Sequence, residues 1–181
     1  MNFNKALSGL TQEDFNVIIQ NGKRSNVIAG YEFEGLIYLS YTFVKNILPD
    51  LLTSLRFDRL AFLALKDKGI NVFEYEINKC SAKEILYFTC WISDELKAVN
   101  QMEKDYLTSF PDSKMQLAGI DKLNKFGEMN IIDSLAGGDI LKHEAIRKLP
   151  YHVIFDKQLK SLTEGAIQKS LKEQNKPKKT H

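Results

Sequence analysis

Ser81-Ala82-Lys83-Glu84 puts a hydroxyl where a helix begins and a carboxylate three residues later. That reciprocal arrangement satisfies two of the backbone N–H groups that every helix start leaves unpaired. Behind it, Ile85, Phe88, Ile92, Leu96, Val99, Met102 and Tyr106 recur at three- and four-residue spacing, while Asp94, Lys97, Gln101, Lys104 and Asp105 leave that stripe. The spacing predicts one central helix over about 82–109, closed by Phe110-Pro111. It is roughly seven turns long.

The other segments read mainly as helices too. Thr11 caps a short helix that carries Asp14 three residues later and ends near Gly22, and residues 23–26 form a loop. Residues 51–66 carry Leu52, Leu55, Leu60, Leu63 and Ala64 on one face, after a break at Pro49-Asp50 and before a stop at Lys68-Gly69. Asp112-Ser113 caps a helix with Leu117, Ile120, Leu123, Phe126 and Ile131 as apolar positions, weakened by Gly119 and Gly127. Gly137-Gly138-Asp139 makes a turn and an N-cap for a helix over 140–149, and Pro150 opens the last helix with Val153, Ile154, Leu159 and Leu162.

Two stretches alternate with a period of two: Tyr31 to Phe43, and 70–77 through Phe73, Tyr75 and Ile77. They read as a small β-hairpin, around 31–43 and 70–77, although a buried helix over 36–48 fits the first stretch almost as well. The expected fold class is therefore mainly α. Residues 1–165 form a single helical domain, and residues 166–181 form a basic tail, largely disordered, in which apolar content thins to Ile167 and Leu171.

A chain of 181 residues with 44% hydrophobic content can bury a core without disulfides or metal. Cys80 and Cys90, ten apart, fit reduced structural thiols rather than a zinc half-site or redox pair. The polar start of the chain lacks the apolar run of a secretory signal, and no apolar window is long enough to span a bilayer, so a cytoplasmic protein without membrane contact is expected. Charge is unevenly divided. From Lys157 onward seven lysines face only Glu164 and Glu173, a net of +5, whereas the preceding residues carry a net of −3.

No motif specifies a reaction. Asp139, His143 and His152 could offer metal ligands at helical spacing, but Asp139 is better explained as an N-cap and His143 as a surface residue. The pairs Glu32/Glu34 and Glu74/Glu76 would each share a strand face, which without further donors reads as solvated. Gly30 and Gly35 have the spacing of a phosphate loop, but Leu36-Ile37 stands where lysine and a hydroxyl residue are required. No catalytic, cofactor-binding or metal-binding residue is expected. The interface candidates are Phe88, Ile92, Val99 and Met102, a stripe divided between core and partner contact, with Trp91 as an anchor.

Residues 121–128 (Asp-Lys-Leu-Asn-Lys-Phe-Gly-Glu), then Ile132-Asp133-Ser134-Leu135-Ala136-Gly137-Gly138-Asp139-Ile140-Leu141-Lys142, then Leu149-Pro150-Tyr151 with Val153, resemble the helical cassette of small late-gene proteins of tailed bacteriophages. Tail-assembly chaperones and minor virion components are the types concerned, and the similarity lies within 118–165. The resemblance implies a non-enzymatic assembly factor or structural component in the host cytoplasm or the virion, working through apolar helix faces on other phage proteins or on like subunits. The alternative is a nucleic-acid-binding accessory protein using Lys169, Lys172, Lys176, Lys178 and Lys179 as non-specific phosphate contacts.

Overall fold

The computed structural model describes residues 11–107 and 120–174. Helix α1 (Gln12–Asn21) is followed by strands β1 (Val27–Ile28) and β2 (Tyr31–Glu32), a 3-10 turn (Leu36–Tyr38) and a π-helical turn (Phe43–Ile47) that runs into α2 (Leu48–Thr53). Then come α3 (Phe57–Asp67), α4 (Glu74–Ile77) and the long α5 (Ala82–Tyr106). A 3-10 segment (Ile120–Phe126), α6 (Met129–Ala136), a 3-10 turn (Ile140–Lys142), α7 (His143–Arg147) and α8 (Tyr151–Gln174) complete the described chain.

The mainly α class and the long central helix follow the sequence. At the start of α5, Ser81 Oγ accepts from the Glu84 N–H and the Glu84 carboxylate accepts from the Ser81 N–H. The Ser81 hydroxyl, which donates to Glu84 Oε2 at 2.7 Å, and then the Ser81 N–H hold the Glu84 carboxyl below its ordinary pKa. Elements α1, β1 and α3 pack on α5, burying Ile85, Phe88, Ile92 and Val99, and Phe33 meets Phe88 and Trp91 ring to ring at 5.1 and 6.0 Å.

The small hairpin exists, but elsewhere than expected. Val27 pairs with Glu32 and Ile28 with Tyr31, around a two-residue turn of Ala29 (φ 51°) and Gly30 (φ 81°). Positive φ at both turn residues matches the twist of antiparallel strands. Residues 33–43 are not strand: after the 3-10 turn the chain is helical from Tyr41, closer to the helix reading of 36–48. Residues 70–77 are not strand either. The Glu76 carboxylate accepts from the Phe73 N–H at 2.8 Å, closing a local turn, and Val72 and Ile77 are buried while Phe73 is exposed. Such a side-chain bond gives the backbone an alternative to a ladder.

Pro49 does not break the chain. It sits in the first turn of α2, where its missing N–H costs nothing extra, and the preceding Leu48 N–H reaches back five residues to Phe43 O, which gives the π turn. The expected 51–66 helix is instead two helices, divided at Leu55 (φ 56°). The expected helix from Asp112 begins outside the described residues and continues as the 3-10 segment and α6. The 140–149 helix is shorter, a 3-10 turn followed by α7. The last helix outruns its expected end: described residues 166–174, assigned to the tail, continue α8, and 175–181 lie outside the described residues.

Arg24 ties α1 to α5. Its guanidinium donates to the Ile19 and Gly22 carbonyls at the end of α1 and to Asp94 on α5, the last at 2.7 Å. A cation there satisfies carbonyls that a helix end leaves unpaired. Gly22 allows the approach, since a Cβ at that position would lie 2.7 Å from Ile18 O and 2.8 Å from Cys90 Sγ.

The Arg24 hydrogen bond, with help from Lys97, holds the Asp94 carboxyl below the usual aspartate range. A carboxyl depressed in the folded state stabilises above its unfolded pKa, near 3.9, and that contribution disappears as pH falls through the folded value. Asp94→Asn should therefore lower the urea midpoint at pH 7 and leave a shallower fall in stability below about pH 4 than the wild type shows.

Candidate interaction site

Two segments far apart in sequence meet in a short antiparallel contact. Ser40 bridges Pro150, the Tyr41 N–H donates to Leu149 O, and the Tyr151 N–H donates to Leu39 O, both at 2.8 Å. Asp67, at the end of α3, fixes the first segment by accepting from the Ser40 N–H and hydroxyl, each at 2.6 Å. His152 Nδ1 lies 3.1 Å from Ile37 O. The bridge stacks Tyr41 on Tyr151, with centroids 6.2 Å apart and planes at 10°.

Under the stacked rings lies a polar node. Lys45, in the π turn, donates to both Glu103 oxygens at 2.9 and 2.7 Å, and the Tyr151 hydroxyl donates to Glu103 Oε1 at 2.8 Å. The Lys45 and Glu103 side chains are each only 25% exposed, so the pair is shielded from salt more than a surface bridge would be. Tyr41 Oη, Thr42 Oγ1 and Glu128 Oε2 are buried and have no hydrogen-bond partner among the described residues. Burial, then the neighbouring Glu128 and Glu103 charges, pushes the Tyr41 phenol well above its ordinary pKa. Burial and the hydrogen bond to Glu103 do the same for Tyr151.

The node opens onto a groove between the end of α5, α6 and α8. It comprises two depressions of about 470 and 620 Å³ that share Leu107, Ile131 and Gln158 as lining. The end near Lys45 and Glu103 is polar; the larger end is walled by Leu135, Ala136 and Leu162, with Ser134, Lys157 and Ser161 on its edge.

Beside the groove the chain makes a knuckle. Gly137 (φ 65°) and Gly138 (φ 79°) reverse the chain after α6, in a left-handed conformation that favours glycine. Asp139 Oδ1 then accepts from the Leu141 N–H at 3.1 Å, and Lys142 Nζ lies 3.2 Å from Asp139 Oδ2. The turn so fixed holds Ile140 and Leu141 in solvent, 74% and 88% exposed. Two adjacent large aliphatic side chains on a fixed turn are out of place in water unless something else covers them.

Of the interface candidates, Phe88, Ile92 and Val99 are fully inside the core, where α1, β1 and α3 cover them, and they offer nothing to a partner. Trp91 and Met102 are half-buried, Trp91 against Phe33 and Phe88. Lys169 and Lys172 are exposed on α8, and Lys176, Lys178 and Lys179 lie outside the described residues. The metal-ligand spacing is not realised. His143 Nε2 meets Asp133 at 3.2 Å, Asp139 caps its turn, and His152 faces Ile37; no group of three His, Cys, Asp or Glu side chains converges among the described residues. Burial raises both thiol pKa values, and Cys80 and Cys90 are free. Among the described residues no helix is long and apolar enough to cross a membrane.

The sequence reading missed Lys45, Glu103 and Tyr151, whose partners are 58 and 48 residues away and leave no local pattern. The knuckle did have a local signal: an Ile-Leu pair directly after a Gly-Gly-Asp turn. Comparison with protein-family models, curated proteins and solved structures found no match.

Tyr151→Phe removes a hydrogen bond to a shielded carboxylate and should cost about 1.5–3 kcal/mol in chemical denaturation, whereas Tyr41→Phe removes an unpaired hydroxyl and should cost nothing or stabilise slightly. Both raised phenols favour the fold below about pH 10 and lose that contribution as pH rises. In an alkaline titration followed by phenolate absorbance, each Phe variant should lack one late step.

Proposed function

We propose that the protein is a non-enzymatic assembly factor or structural component, of a bacteriophage or phage-derived element, that binds other proteins through the surface formed by α6, the Ile140–Lys142 turn and α8. The observation that carries this reading is the exposure of Ile140 and Leu141 on a turn fixed by two left-handed glycines and an aspartate cap. Apolar side chains already held in one geometry lose little freedom on association, so more of their burial energy appears as affinity. The adjacent groove supplies the concave counterpart. The phage assignment draws its support from the resemblance within 118–165, the part of the chain that builds the 3-10 segment, α6, the knuckle and the start of α8.

Co-expression with the products of flanking genes, followed by size-exclusion chromatography with light scattering, tests the reading. A stoichiometric complex is expected, and Leu141→Glu should weaken it at least tenfold while leaving the melting temperature within about 1 °C, because a side chain this exposed adds little to the fold. Failure to bind any of them sinks the proposal.

A second reading rests on Lys169 and Lys172, both exposed on the part of α8 that runs past the core, as a non-specific phosphate contact. Deleting residues 172–181 should then weaken DNA binding and flatten its dependence on salt. Affinity too low to measure at low salt for both DNA and RNA ends that reading.

A further inference from the structure

No further inference is drawn: the strongest candidate, the apolar turn of Ile140 and Leu141 with the groove beside it between the end of α5, α6 and α8, is the surface already described, and nothing in the structure shows what covers it.

Discussion

Glu103 is the point on which the arrangement turns. It lies on α5 and takes bonds from Lys45 in the π turn and Tyr151 at the start of α8, so one carboxylate joins three segments that the chain order keeps apart. A carboxylate drawn out of water is costly unless donors replace the lost solvent, and here the ammonium and the phenol are those donors. Removing Glu103 takes the acceptor from both donors at once, whereas losing Lys45 or Tyr151 leaves the shielded carboxylate with the other donor alone. The adjoining Ser40–Pro150 bridge fixes the same segments through their backbones, so that side-chain and main-chain bonds specify a single register.

What was legible in the sequence follows from how local each determinant is. The start of α5 was readable because its cap spans three residues and its stripe repeats every turn; the same holds for α1 with Thr11 and Asp14. The strand reading held for Tyr31–Glu32 but failed over 33–43 and 70–77, because period-two alternation needs a partner to become a ladder. In both stretches a local helical bond or a turn captured the backbone first. Pro49 misled for a related reason, since proline is compatible with a helix's first turn and the π turn supplied one.

The surface was less legible than the core. The stripe on α5 identified which residues are apolar but not what covers them, and three of the five interface candidates turned out to be covered by this chain itself. The two most exposed of the large apolar side chains among the described residues, Ile140 and Leu141, lie instead where helical periodicity has nothing to say, on the 3-10 turn between α6 and α7. Local backbone chemistry decides that exposure. Two left-handed glycines reverse the chain there, and the Asp139 carboxylate accepts from the Leu141 N–H within the turn.

The π turn has a consequence for how this sequence can vary. A π turn spends about one residue more per turn than an α-helix, so the segment before it is phased by roughly 100° relative to an uninterrupted helix. Lys45 meets Glu103 from inside that wider turn. Residue count between Tyr41 and Pro49 is thus as much a determinant as residue type. Substitutions along the outer side of the segment leave the phase alone, whereas losing one residue would preserve helical character and composition and still carry the ammonium round to the wrong side.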